Sequence, residues 1–225
     1  MTVVRTLIAA LVWAGLTCAQ NPISFATTDG WTIRADLYGK SERCVVLAHG
    51  GRFEKGSWEK QARVLVKAGF CVLAIDLRGF GLSKEGPQSA RSDFGSPLDV
   101  LGAVRYLHEK GAKTVSVVGA SMGGDAAEGA LAEAKPGEID RVVLLAHGAY
   151  GPAEGLKGRK LFIVSRDDVG SGDKPRLDKI RAQYEKAPGP KELVVLEGSA
   201  HAQFMFETDQ GERLMQEILR FLSAP

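Results

Sequence analysis

An α/β domain built on a mostly parallel sheet is the fold class this sequence predicts, and three observations carry the prediction. Short β-branched runs, apolar nearly throughout, recur from residue 43 onward. Segments with apolar residues at helical spacing lie between them. Strand and helix patterns alternate in this way to the end, with no internal repeat and no low-complexity tract. The 225 residues are 44% hydrophobic and 25% charged, which is enough for one substantial core. The formal net charge is +2, and no block of like charge offers a nucleic-acid surface.

Taken in order, residues 1–19 read as a secretory leader. Arg5 is the only charge before Asp29, "TLIAALVWAGL" is an apolar core of leader length, and Thr17 and Ala19 are small residues at the −3 and −1 positions of a cut after Ala19. The run is short for a membrane span, which needs about 20 apolar residues. The expected mature chain is therefore one domain over residues 20–225, secreted or periplasmic, with no stable membrane insertion. "ISFATT" and "WTIRADLYG" alternate in polarity about Asp29-Gly30 and predict a β-hairpin with a tight turn.

"RCVVLAHG", "FCVLAIDLRG", "KTVSVVGAS", "RVVLLAHG", "KLFIVSRDD" and "ELVVLEGSAH" follow. Strands apolar on both sides belong inside a parallel sheet covered on two faces. Helices are predicted over residues 57–69, with Ser57 as cap and Gly69 as stop, and over 96–111, with Ser96 as cap, Pro97 at the first position and Gly111 as stop. Residues 175–187 and 206–222 carry two more. The longest irregular segment is residues 79–95.

Sites in open α/β sheets form at the carboxyl ends of the strands. There the sequence places His49-Gly50-Gly51, Asp76, Ser121, His147, Asp167-Asp168 and, beyond the last strand, His201. A serine, acids and histidines on one rim point to a serine nucleophile with a histidine base and an orienting acid. "GASMGG" explains the alternate glycines: a serine at a sharp strand-to-helix turn needs no side chain at positions 119 and 123. The N–H of Met122, at the start of the following helix, can then face an oxyanion.

These segments resemble the α/β-hydrolase fold enzymes, of the capless serine hydrolase type similar to the serine aminopeptidase-like and dienelactone hydrolase-like members. The resemblance covers nearly the whole chain after the leader. "VVLAHGG" resembles the oxyanion-loop strand, "VVGASMGG" the nucleophile turn, and "LFIVSRDD" and "EGSAHAQF" the acid and histidine segments. It implies a sheet of order 1-2-4-3-5-6-7-8, and a triad of Ser121, Asp168 and His201. The oxyanion donors it implies are Met122 and Gly51, with Arg52 as the other choice for the second. Asp167 and, more remotely, Asp173 compete with Asp168, and His147 competes with His201. His49 is expected to brace the oxyanion loop, Asp76 to hold the loop that follows it, and His108 to be solvated. Only "GAYGPAEGLKGR" separates the strand ending at His147 from "KLFIV", so no cap domain fits and an open cleft is expected.

The resemblance also makes the strands of Cys44 and Cys71 adjacent. Their sulfurs could then meet in an oxidising compartment, or remain two buried thiols that act as small hydrophobes. No CxxC or HExxH supports a metal. "YGKS" lacks the first glycine of a phosphate loop, having Arg34 in its place, and "GFGLSK" ends in Lys84 where a dinucleotide fingerprint needs glycine. No cofactor is expected. The reading is an exported serine hydrolase of carboxylic esters with a small-molecule ester or amide as its partner. A peptidase or amidase using the same residues, and a catalytically silent binding protein of the same fold, are the alternatives. Haloalkane or epoxide hydrolysis would require aspartate at 121, and dienelactone-type hydrolysis cysteine.

Overall fold

The computed structural model describes residues 20–87, 96–170 and 175–225; the expected leader, residues 88–95 of the irregular segment, and Asp173 lie outside them. The hairpin comes first, β1 (Gln20–Ala26) against β2 (Thr32–Tyr38), closed by a Gly30 N–H to Thr27 carbonyl bond of 3.0 Å. Gly30 has φ 87°, which explains the glycine in that turn. β3 (Arg43–Ala48), β4 (Cys71–Ile75), β5 (Thr114–Ala120), β6 (Arg141–Leu145), β7 (Arg159–Ser165) and β8 (Lys191–Leu196) complete one eight-stranded sheet of order β1-β2-β4-β3-β5-β6-β7-β8. Across β4-β3-β5-β6-β7-β8 every pairing is parallel, and the β1–β2 and β2–β4 pairings are antiparallel. The order is the one the sequence resemblance implies.

Helices cover both faces. α2 (Pro97–Glu109), α3 (Met122–Glu133) and α4 (Arg176–Lys186) lie on one, over Cys44, Val46, Leu73, Val117 and Leu144. α1 (Glu59–Lys67) and α5 (Gly211–Ser223) lie on the other, over Val45, Leu47, Val72, Val118 and Leu145. Alternate residues of each strand thus feed alternate cores, which is why the strands read as continuous apolar runs. Burying one such Val or Leu contributes ~1.5–3 kcal/mol. A charge at Leu144, which is fully buried, would therefore break the sheet at its centre.

Ser96 caps α2 as expected, its Oγ accepting from Leu98 N–H at 3.2 Å with Pro97 next in line. The predicted start of the first helix differs. Residues Lys55–Trp58 form a 3-10 turn, the Ser57 hydroxyl donates to the Glu54 carbonyl at 2.7 Å, and α1 begins at Glu59. The last helix begins at Gly211 rather than 206. Residues Ala202–Glu207 wind as a 3-10 helix, and a Cβ at Gly211 would meet the Phe206 carbonyl at 2.3 Å, so only glycine fits where α5 starts. His108 is not solvated: Nδ1 lies 3.0 Å from the Ala112 carbonyl and Nε2 2.9 Å from that of Glu138, tying α2 to the turn before β6. Between β6 and β7, residues 146–158 hold only a 3-10 turn at Ala153–Gly155, and no cap domain stands over the sheet there.

Candidate active site

Ser121 stands between β5 and α3 with φ 50° and ψ −117°, a conformation an L-residue rarely adopts. The surroundings impose it. Its N–H donates to the Leu145 carbonyl at 2.8 Å, and its carbonyl accepts from Asp125 N–H at 2.9 Å. A Cβ at Gly119 would lie 2.2 Å from the Gly123 carbonyl oxygen, and one at Gly123 would lie 2.3 Å from that of Ala48. Both flanking positions therefore exclude side chains, and the serine is lifted to the carboxyl edge of the sheet.

The histidine and acid arrive from the loops after β8 and β7. His201 Nε2 lies 2.8 Å from Ser121 Oγ, and its Nδ1 lies 2.8 Å from Asp168 Oδ2. With Nδ1–H donated to the carboxylate, Nε2 is left to accept the serine proton. Asp168 is buried, and its neighbour Asp167 is exposed and directs no hydrogen bond to His201. The Ser165 hydroxyl donates to the Ala200 carbonyl at 2.7 Å, which joins the acid segment to the histidine segment.

His147 is not joined to Ser121. Its ring is fully buried against Phe162, its Nε2 faces Gln183 Oε1 at 2.8 Å, and burial pushes its pKa down to about 4. It is a neutral core histidine. His49 braces the loop after β3: Nδ1–H donates to the Gly50 carbonyl at 2.9 Å and Nε2 accepts from Leu77 N–H at 3.1 Å. Asp76 accepts from the N–H groups of Lys55 (2.7 Å) and Leu82 (3.0 Å), so it holds both flanking loops.

Three residues of the site escaped the sequence reading. Gln203, on the 3-10 helix just after His201, accepts from Gly50 N–H at 2.8 Å and donates to Ser57 Oγ at 2.6 Å. The Gly50 N–H is thereby taken up. Gly51 follows it beside Met122, whose Sδ would stand 3.8 Å from a Cβ at position 51. Arg176 Nε lies 3.2 Å from Asp168 Oδ2, so the oxygen that faces His201 also faces a guanidinium. Asp125, on the first turn of α3, accepts from Gly148 N–H at 2.5 Å. Burial pushes its carboxyl up to about 6, against the pull of Arg176, Lys179 and His201. Each of these is a lone polar residue in a helix or turn pattern, and no spacing in the chain marks it.

Arg176 and Asp125 join three neighbours around one loop. Glu128 and Asp125 from α3, with Gln183, Arg176 and Lys179 from α4, hold the backbone of residues 147–151 from both sides. Burial also raises the Glu128 carboxyl. Tyr150, Val169 and Phe204 are exposed on this loop and on the acid and histidine loops, and the Phe204 ring lies 4.8 Å from that of Phe53. Among the described residues no group of His, Cys, Asp and Glu is placed to hold a metal ion, and no helix is long and apolar enough to cross a membrane.

Comparison with known proteins agrees with this architecture. The chain is 29% identical over 155 residues to the AB hydrolase superfamily protein YisY of Bacillus subtilis, covering 66% of this chain and 56% of that one. It is 33% identical over 103 residues to a putative non-heme chloroperoxidase of Synechocystis, covering 45% and 36%. The chain thus spans about half or less of the length of these curated relatives. Among solved structures, the esterase Pf2001 of Pyrococcus furiosus superposes with a TM-score of 0.74 at 20% identity, covering 97% of each chain. A dienelactone hydrolase of Anabaena variabilis superposes with a TM-score of 0.73 at 24% identity, covering 90% of this chain and 96% of that one. Residues 39–166, which include the Ser121 turn, match the family described as serine aminopeptidase, S33. By that match over more than half its length, set on a sheet of this order, the chain belongs to the serine aminopeptidase S33 family of α/β hydrolases.

Proposed function

We propose that this α/β hydrolase is a serine hydrolase that cleaves carboxylic esters of small or exposed acyl groups through an acyl-enzyme. The observation that carries the reading is the continuous pair of 2.8 Å contacts from Ser121 Oγ through the His201 ring to Asp168. Ser121 Oγ attacks the ester carbonyl while His201 Nε2 takes its proton. Asp168 keeps Nδ1 protonated and stabilises the imidazolium. The Met122 and Gly51 N–H groups receive the oxyanion, at the N-terminus of α3 and the turn beside it. His201 then gives its proton to the leaving alkoxide. Water repeats the sequence on the acyl-serine and releases the acid. The short 146–158 connection leaves the cleft open, which favours acyl groups that are small or displayed on a larger body.

A fluorophosphonate probe, followed by mapping of the labelled peptide, tests the nucleophile. Labelling at Ser121, with release of p-nitrophenol from p-nitrophenyl acetate and butyrate, is the expected result. A folded protein that neither labels nor turns over would leave a binding protein of the same fold. The family's description as a serine aminopeptidase favours a second reading, cleavage of amides by the same residues. Aminoacyl p-nitroanilides set against p-nitrophenyl esters separate the two by the ratio of kcat/KM. Export is part of the proposal: residues 1–19 act as a cleaved leader, and the mass of the chain recovered outside the cytoplasm should begin at Gln20.

A further inference from the structure

Arg176 is the first residue of α4, an end where the helix dipole favours acids and disfavours a cation. Its place is set by the loop after β7. The Arg176 N–H donates to the Asp168 carbonyl at 2.8 Å, and Val169 and Pro175 form an antiparallel bridge beside that bond. The side chain turns to the same aspartate, with Nε 3.2 Å from Asp168 Oδ2. Backbone and charge thus clamp the arginine to one residue, and a buried carboxylate offsets a cation at an unfavourable helix end.

Asp168 Oδ2 is also the oxygen that His201 Nδ1 meets at 2.8 Å, and the two contacts differ in kind. The histidine makes a directed hydrogen bond. The Arg176 Nε–H is buried and finds no hydrogen-bond acceptor among the described residues, so its contact with Oδ2 is one of charge alone. The guanidinium therefore leaves the bond to His201 in place and acts on it as a fixed positive charge. Two nitrogens that share one oxygen at these distances lie within about 6 Å of each other, a range over which one charge governs the titration of another. Among the described residues, the other charged groups facing the pair are Lys179 from α4 and Asp125 from α3, which feels Arg176, Lys179 and His201 alike. His147, whose carbonyl takes the far end of the guanidinium, is neutral.

On the hydrolytic reading, on which this assignment rests, we propose that Arg176 is a positioning residue that acts through Asp168 to keep the His201 base free at lower pH. A protonated His201 is a second cation on Oδ2, beside the guanidinium. Part of the carboxylate's attraction is already met, so a solvent proton gains less by settling on Nε2 of the resting enzyme. The base stays available as the pH falls, and hydrolysis extends to more acid solution. Removing the guanidinium reverses the sign: the resting imidazole charges more readily, and the acid limb of the rate moves to higher pH. An arginine that only held the loop would change the size of the rate and leave the limb in place.

The test is the pH profile of kcat/KM for p-nitrophenyl acetate in the wild type, Arg176→Gln, Arg176→Met and Arg176→Lys. The two neutral variants should move the acid limb up by about one pH unit, with the plateau within about tenfold of the wild type. Arg176→Lys keeps the charge without the planar fork and should move the limb less than half as far. Asp125 titrates in the same range, so the shift is read again in the Asp125→Asn background, where its size should be the same. Where one neutral variant does not fold, the other decides. An unmoved limb in the neutral variants would overturn the assignment, as would a lysine variant that moves as far as they do. So would a rise in KM confined to mono-p-nitrophenyl succinate, which would make Arg176 a binding residue for anionic esters. Fluorophosphonate labelling separates this inference from the reading beneath it. A folded wild type that never labels at Ser121 brings both down, whereas labelling with an unmoved limb brings down the role of Arg176 alone.

Discussion

Ser121, His201 and Asp168 act as a unit in the proposed reaction, so their losses should not add. Ser121→Ala and His201→Ala are each expected to lower kcat for p-nitrophenyl butyrate by roughly 10⁴–10⁶-fold, and the double variant by no more than the worse of the two. Asp168→Asn should cost about 10⁴-fold, because the amide favours the wrong tautomer of His201, while Asp167→Asn should stay within about twofold. Steady-state rates of these variants check the assignment, and a reversed order for the two aspartates would overturn it. Gln203 is a positioning residue, since it holds Gly50 and leaves the chemistry to its neighbours. Gln203→Leu should lower kcat by up to about 10²-fold with KM little changed, and should weaken a boronic acid transition-state analogue in proportion. An equal rise in KM instead would mean that Gln203 only shapes the cleft.

Asp125 gives a stability prediction with a definite sign. Its folded pKa, about 6, lies above its ordinary value of 3.8, so the folded chain holds that proton more tightly than the unfolded chain. Its effect on stability is therefore unfavourable above pH 6 and fades as the pH falls to 3.8. Asp125→Asn keeps an oxygen for the Gly148 N–H and should stabilise the protein by on the order of 2 kcal/mol at pH 7–8, roughly 4–8 °C in Tm. The gain should vanish below pH 4. His147 acts oppositely: lowered from 6.5 to about 4, it withdraws stability as the pH falls through that window. Thermal melts from pH 4 to 8 on the two proteins read both effects.

At the scale of the element, the sequence was most legible where one cause acts alone. The β3 to β7 strands are buried on both faces, so each spells out its state in a run of Val, Leu, Ile and Ala. Gly119 and Gly123 are read as easily, because each is forbidden a side chain by a backbone oxygen. Ser96 is a local cap, and Ser96→Ala should cost about 1 kcal/mol, or about 2–4 °C in Tm by thermal melt. Ser57 has the same type and a similar setting, yet it serves the Glu54 carbonyl and Gln203, a partner far along the chain that no local pattern reveals. The missed residues share that property. Arg176, Asp125 and Gln203 matter only because folding brings α4, α3 and the 202–207 turn around the same loops. His108 looked solvated for the same reason, since one of its two carbonyl partners, that of Glu138, lies in a turn 30 residues away.

For the whole molecule, the absence of a cap between β6 and β7 sets what can approach Ser121. Rates on tributyrin should rise smoothly through its solubility limit, because no cap stands between β6 and β7 to open on an oil surface. A sharp rise at that limit in a stirred titration would show that some other segment covers the cleft. The sheet order and the Ser121–Asp168–His201 sequence of segments were implied by the resemblance to the α/β-hydrolase enzymes, because the order of motifs survives where individual contacts do not.

His201 and Gln203 are two residues apart on one short coil, one facing the Ser121 hydroxyl and the other bracing the Gly50 loop, to which the proposed reaction assigns the negative oxygen. In the proposed reaction, a tilt of that coil would move the proton acceptor and the brace of the anion loop together. A population that samples the tilted state would contain idle and competent copies, with few of intermediate speed, and turnover traces of single molecules would switch between silence and one characteristic rate.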